Sequence, residues 1–189
     1  MSTFEDRPQA ALLVIDAQNG VLAPSVNAGA VVAKIATLVG EARAQSVPVI
    51  WVQHSDASLV RDTDDWRITA ELMPGADEPI VHKQYGDAFE ATDLAEQLAQ
   101  AKAGRLILVG AQTDACIRST LHGGLARGYD ITLVSDAHTT EDMREWGAPL
   151  SPEQSIAYTN MYWQFTNAPG RTCLVTPAAE VFTSASAAD

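Results

Sequence analysis

The chain has 189 residues, 47% of them hydrophobic, which suits one globular domain with a sizeable core. Its 24 acidic and 12 basic residues leave a net charge of −12, which argues against nucleic acid or an anionic membrane as main partner. The two cysteines, Cys116 and Cys173, lie far apart and make neither a disulfide framework nor a zinc-binding spacing.

The N-terminal MSTFEDRPQ lacks the basic start and apolar stretch of a signal peptide, so a cytoplasmic location is expected. No apolar run approaches the roughly 18 residues of a membrane span. Residues 10–15 (AALLVI) are a continuous apolar run, expected to be a buried strand, and end at Asp16. Residues 28–44 carry Val31, Val32, Ile35, Leu38 and Val39 at helical spacing, with Lys34, Glu41 and Arg43 on the other side. Residues 47–52 predict a second strand, with Pro48 tolerable at its start. Residues 55–79 are charged and irregular. Residues 79–82 predict a short strand leading to Lys83.

A helix is expected over 92–103, with Leu94, Ala95 and Leu98 on one face and Gly104 past its end. The third main strand spans 105–109, and Gly110 opens a turn. Residues 114–127 predict a helix closed by Gly128, with Asp114 as its cap and Cys116 at its head. The next strand is 131–134, ending in Ser135-Asp136. Ser151 as cap and Pro152 in the first turn start a helix running to about Phe165. Residues 171–175 predict the last strand, and 183–189 a flexible tail. Such alternation implies right-handed crossovers and an α/β fold: a three-layer α/β/α sandwich with a mostly parallel, about six-stranded, Rossmann-like sheet. One domain is expected over 1–189, with a core at about 8–177.

Asp16, Lys83 and Cys116 each follow the carboxyl end of a predicted strand, and in a doubly wound sheet such positions converge on one edge. A thiol is a nucleophile, a carboxylate can take its proton, and an ammonium can stabilise the resulting negative charge. A helix N-terminus would also favour thiolate over thiol at Cys116. Taken singly, Cys116 could be a core cysteine, Asp16 a turn or cap residue, and Lys83 a solvated charge.

The segments LLVIDAQNG around Asp16, VHKQYGDAF around Lys83 and VGAQTDACIRST around Cys116 together resemble the isochorismatase-like cysteine hydrolase superfamily, over about residues 10–175. The resemblance implies a parallel-sheet α/β hydrolase with an Asp-Lys-Cys triad and no cofactor. Cys116 would attack an amide carbonyl, Asp16 would act as base, and Lys83 would hold both. Backbone N–H groups of Gln112 and Cys116 would form the oxyanion hole, and the Ala111–Gln112 bond would be cis. The reaction implied is hydrolysis of a non-peptide C–N bond through a thioester. Homo-oligomers, dimer or tetramer, are common in the family. Residues 122–163 also resemble a subgroup including enzymes that open a cyclic amide in streptothricin-type antibiotics, and a cationic lactam would suit so acidic a chain.

Nicotinamidases of this family carry an Asp-x-His and a further His after the second strand, as metal ligands. Here that region reads WVQHSDASLV, with His54 and Asp56 in reversed order and no second His nearby, a poor ligand count. No metal is therefore expected, and His54 is placed beside the pocket. Gln18, His54, Trp66, Tyr85 and Trp146 are the substrate-binding candidates. Gln18 and Asn19 could bond to substrate or to Lys83, Phe89 and Glu145 could contribute to the pocket, and Asp136 and His138 could line the site. Cys173 is expected to be buried and inert. The rival readings are a non-catalytic binding or scaffold protein, whose Cys116 would alkylate no faster than a free thiol; a thiol redox protein, which lacks a resolving partner; and a metal-assisted nicotinamidase-like amidase.

Overall fold

In the computed structural model, which describes residues 2–183, six strands form one sheet in the order β3-β2-β1-β4-β5-β6. They are β1 (Gln9–Ile15), β2 (Val49–His54), β3 (Ile80–Lys83), β4 (Ala103–Ala111), β5 (Asp130–Thr139) and β6 (Cys173–Thr176). All five pairings are parallel, so the expected sheet is found without an antiparallel edge. The helices are α1 (Asn19–Leu22), α2 (Ala28–Ala44), α3 (Leu94–Gln100), α4 (Arg118–Ala126) and α5 (Pro152–Phe165). The expected tail at 183–189 lies, beyond Thr183, outside the described residues.

The central strands are apolar on both faces because helices cover both. Along β1, Leu12 and Val14 face the cluster made by Val31, Ile35, Leu38 and Val39 of α2. Ala11, Leu13 and Ile15 face the opposite cluster, with Leu94 and Leu98 of α3, Leu121 and Leu125 of α4 and Trp163 of α5. Each fully buried aliphatic side chain here contributes about 1.5–3 kcal/mol. At α5, Ser151 and Gln154 form a reciprocal capping box, with Pro152 in the first turn. No helix among the described residues is long and apolar enough to cross a membrane.

Gly110, expected to open a turn, lies within β4, and three boundaries depart from the sequence expectations by more than two residues. Residues 113–117 form a five-residue π-helical turn, and α4 begins at Arg118, so Cys116 is not at the head of an ordinary α-helix. β5 runs past Val134 to Thr139, because Leu108 pairs with Leu133 while Gly110 pairs with His138. Three extra residues bulge out there and hide the continuation from any period-two reading. The expected helix over 92–103 shortens to α3, because the pairing of β4 with β1 begins at Ala103.

Gly110 sets the distance between the two central strands. Its φ is +117°, and a Cβ there would stand 1.9 Å from the carbonyl oxygen of Ile15. Glycine lets β4 press against β1 at the level where both chains leave the sheet. Asp16 turns off β1 with φ +49° while its N–H still donates to Val52 O at 2.9 Å. The ends of β1 and β4 therefore open onto the same place. The Ala111–Gln112 bond is cis.

Candidate active site

At the carboxyl edge of the sheet Lys83 leaves β3 and passes under the ends of β2 and β1. Its ammonium stands 2.8 Å from Asp16 Oδ2, 3.1 Å from Cys116 Sγ, 3.1 Å from Tyr85 O and 3.3 Å from His54 Nδ1. The Lys83 side chain is fully withdrawn from solvent. Asp16 is also buried, and its second oxygen, Oδ1, has no hydrogen-bond partner. The three residues picked out by their strand-end positions thus meet in space.

Burial pulls the Lys83 ammonium down, but the facing Asp16 carboxylate and the Cys116 sulfur leave it raised above the usual lysine value. Burial pushes the Cys116 thiol up to about 12; the Asp16 charge adds to this and the Lys83 charge opposes it. The expectation of a resting thiolate is therefore corrected. Desolvation and the neighbouring Asp16 charge outweigh the local backbone dipoles, so Cys116 rests as a thiol beside the Lys83 ammonium.

His54 continues the network outward. With Nδ1 towards the Lys83 ammonium, Nε2 carries the proton and donates to Asp56 Oδ2 at 3.2 Å. Asp56 Oδ1 accepts from the Ser58 N–H, the Ser58 hydroxyl and the Leu59 N–H, each at 2.7 Å. These donors, led by the Ser58 hydroxyl, hold the Asp56 carboxyl well below the usual carboxylate range. Both ring nitrogens of His54 are thus engaged, one by a cation. Among the described residues no group of three or more His, Cys, Asp or Glu could hold a metal ion. His54 and Asp56 do not fit the metal that nicotinamidases place in this region.

Above these three residues lies a cavity of about 350 Å³, at the small end of ligand sites. Asp16, Cys116, Ala115 and Gln112 line it from the sheet edge. Gly20, Val21 and Pro24 form a second wall, His54, Asp56, Ser58, Leu59 and Asp65 a third, and Glu141 a fourth. The second and third walls are tied together, since Gly20 N–H donates to Asp65 O at 2.8 Å and Asn19 N–H to Arg67 O at 2.9 Å. Gln112 Nε2 donates to Glu141 Oε1 at 3.0 Å.

Of the substrate-binding candidates, His54 lines this cavity and the other four do not. Gln18 is fully buried; its Nε2 donates to the carbonyls of His54 and Trp66 at 3.0 and 2.7 Å, and its Oε1 accepts from His54 N–H at 2.8 Å. It clamps the end of β2 to the following loop and has no bond to Lys83. Asn19 Nδ2 donates to Asp64 O. Trp66 stacks on His82. Tyr85 gives Lys83 its carbonyl, but its side chain is 55% exposed and borders a different hollow with Arg61 and His82. Trp146 is 69% exposed, Glu145 lies with it outside the cavity, and Phe89 is core.

The π-helical turn that carries Cys116 is anchored from behind. Thr113 Oγ1 donates to His138 Nδ1 at 2.8 Å; His138 Nε2 donates to Asn160 Oδ1 at 3.0 Å, and Asn160 Nδ2 donates to Ser135 O at 2.9 Å. Asp114 makes no helix cap; its oxygens accept from Thr140 Oγ1 at 2.7 Å and Ser155 Oγ at 2.9 Å. His138 therefore supports the turn and does not line the cavity. Asp136 pairs with Lys34 and accepts from Ala178 N–H. Cys173 is half-buried, against the expectation of full burial.

Sequence reasoning missed Asp65 and Glu141, which stand in loops with no periodicity. The signal available for Glu141 was its place just beyond Asp136 and His138, a strand end already singled out.

Comparison with known proteins identifies the family. The family model for the isochorismatase domain matches residues 10–165. The chain is 30% identical over 143 residues to a streptothricin hydrolase of Streptomyces noursei, covering 72% of this chain and 57% of that protein. The chain thus spans little more than half the length of that curated relative. It is 29% identical over 156 residues to nicotinamidase 3 of Arabidopsis thaliana, covering 72% and 77% of the two chains. Among solved structures, an isochorismatase from Pseudomonas putida KT2440 superposes with a TM-score of 0.81 at 26% identity, covering 91% of this chain and 89% of the other.

Proposed function

Because the chain belongs to the isochorismatase family, we propose that it hydrolyses a non-peptide C–N bond in a small amide, ureide or lactam through a thioester on Cys116. The observation that carries this reading is the Lys83 ammonium shared between Asp16 Oδ2 and Cys116 Sγ at the floor of a cavity, with Asp16 Oδ1 buried and unpartnered.

Cys116 Sγ attacks the carbonyl carbon while Asp16 takes the thiol proton, so charge forms on sulfur only as the S–C bond does. A thiol with a pKa near 12 needs such a base, and the free oxygen of Asp16 is the acceptor at hand. Backbone N–H groups of Gln112 and Cys116 receive the carbonyl oxygen as it becomes an oxyanion. The protonated Asp16 gives its proton to the departing nitrogen, the C–N bond breaks, and ammonia or an amine leaves. Water then enters, Asp16 removes its proton, the hydroxyl adds to the thioester carbon, and the sulfur leaves and regains a proton. The product is a carboxylic acid. Lys83 stays charged throughout, and His54, braced by Asp56, fixes where its ammonium points. The reaction takes place within the one chain, with no cofactor, on a small-molecule substrate.

The test is release of ammonia or amine from a panel of small amides, ureides and lactams, with Cys116→Ala as control. A panel untouched by the native protein would favour a binding or scaffold role.

A further inference from the structure

We propose that Glu141 holds the Gln112 carboxamide with its oxygen as the free end, and that this oxygen selects substrates with a neutral N–H or O–H donor on the acyl side of the scissile carbonyl. Within the hydrolase reading, on which this rests, Gln112 is then a specificity-determining residue and Glu141 its positioning residue. The favoured substrates are small primary amides with a hydroxyl or N–H beside the carbonyl.

Gln112 follows β4 in extended backbone, is half-buried, and lines the cavity next to Ala115 and Cys116. Its backbone N–H is one of the two proposed oxyanion donors, so its side chain starts from the point where the substrate carbonyl would be held. Gln112 Nε2 donates to Glu141 Oε1 at 3.0 Å. A carboxylate accepts hydrogen bonds and has none to give, so only the NH2 end of the carboxamide can face it. Gln112 Oε1 is left over, and it accepts no hydrogen bond from the described residues.

Glu141 is itself held in place from two sides. It bridges to Ser25 on the second wall, where Val26 N–H also donates to Thr140 O at 3.0 Å. Thr140 Oγ1 donates to Asp114 Oδ1, in the turn that carries Cys116, at 2.7 Å. Glu141 is therefore a fixed acceptor, and the Gln112 amide cannot turn over without setting its oxygen against a carboxylate.

Other acceptors around the cavity are in use. Gln18 engages both ends of its carboxamide with the backbones of His54 and Trp66, and Asp56 is filled by its loop donors and His54. Asp16 Oδ1 serves the thiol proton and the departing nitrogen in the proposed reaction. Gln112 Oε1 has no part in breaking the bond, yet it belongs to the residue that receives the oxyanion. An apolar group seated against it would strip it of water without return, whereas a donor there restores the bond. Because Asp16 already meets the leaving nitrogen, the selected donor lies on the portion that stays on sulfur.

The experiment compares primary amides matched in size. α-Hydroxy amides and N-alkylureas carry a donor beside the carbonyl, alkyl amides carry no polar group there, and α-methoxy amides carry only an acceptor. Binding is measured by calorimetry on Cys116→Ala, and amine or ammonia release on the native protein. At least one donor amide should bind Cys116→Ala about fivefold more tightly than its alkyl and methoxy counterparts, the worth of one neutral hydrogen bond. In that background Gln112→Met, similar in length but without the oxygen, should abolish the margin. Glu141→Gln can face Gln112 with either end of its own amide, so it should free Gln112 to turn, and methoxy amides should gain severalfold on hydroxy amides. These are ratios between ligands on one protein, which a general loosening of the fold would not reverse; should Gln112→Met fail to fold, the Glu141→Gln ratio decides. Donor amides that bind no better than the alkyl and methoxy series, or not at all, would overturn the proposal, as would a margin that survives Gln112→Met or a ratio unmoved by Glu141→Gln. Donor preference in Cys116→Ala without turnover by native protein would uphold it and count against the hydrolase reading. Turnover by native protein without donor preference would do the reverse.

Discussion

Lys83 Nζ lies 2.8 Å from Asp16 Oδ2, and both side chains are almost wholly withdrawn from solvent. Burying such a pair is costly to stability, and replacing both partners with apolar groups is often neutral or better. Here the pair stands beneath a cavity and beside a thiol, which is where a fixed carboxylate and a fixed ammonium have chemical use.

Replacing Asp16 with Asn keeps the shape but removes the base and leaves the ammonium facing a neutral group. Activity should fall by about 10²–10⁴-fold, the usual worth of a positioned base. The buried lysine, deprived of its counter-charge, should also lower unfolding stability by about 3–5 kcal/mol. Steady-state rates and urea denaturation check the two effects separately.

His54→Ala should lower kcat by about 10- to 100-fold, because it frees the ammonium to shift by a fraction of an ångström. Its KM should change less, and His54→Gln, which can still offer an acceptor to Lys83, should recover part of the loss. A KM that rises while kcat is unchanged would place His54 with the substrate and not with Lys83.

With its thiol held near pKa 12, Cys116 in the free protein should alkylate with iodoacetamide on the order of a thousandfold more slowly at pH 8 than an unperturbed cysteine, whose pKa is about 8.5. The rate should climb about tenfold per pH unit as the thiolate fraction grows, with no plateau near 8.5. Slow alkylation was first attached to the scaffold reading; the geometry makes it common to both, so acylation by an amide is what separates them. The measurement is loss of free Cys116 followed by peptide mass.

Burial keeps the His138 imidazole below its usual pKa. The folded state then resists protonation while the unfolded chain accepts it near pH 6.5, so stability is lost as pH falls below that value towards the folded pKa. His82 and His122 shift the same way, so the melting temperature should drop between pH 7.5 and 5. His138→Gln should flatten that drop while lowering stability at pH 7.5 by about 1–3 kcal/mol through the unmatched Thr113 or Asn160.

Gly110→Ala places a Cβ against Ile15 O at a φ that side chains avoid. The loss should exceed about 4 kcal/mol, the exceptional end for single substitutions, and show as a collapsed denaturation midpoint or insoluble protein.

The strands and the meeting of Asp16, Lys83 and Cys116 were legible in the chain because a buried parallel strand reads as an unbroken apolar run, and Asp16, Lys83 and the turn before Cys116 each mark where one ends. α2 and α5 were legible to the residue or nearly so, from apolar spacing in the first and from Ser151-Pro152 in the second. The π-helical turn was not, since residues 113–117 followed by α4 show the same apolar spacing as one continuous helix. Gln18 looked like a substrate ligand because its partners, the backbones of His54 and Trp66, lie 36 and 48 residues away. The aromatic candidates followed a preference for large side chains in pockets, and none of Trp66, Tyr85 and Trp146 lines the cavity.

The most direct test of the central claim is the intact mass of the protein during turnover of an amide found in the screen, run beside Cys116→Ala. The account predicts an added mass equal to the acyl group, located on the peptide containing Cys116, and loss of amine release in Cys116→Ala. Amine release that persists in Cys116→Ala would contradict it.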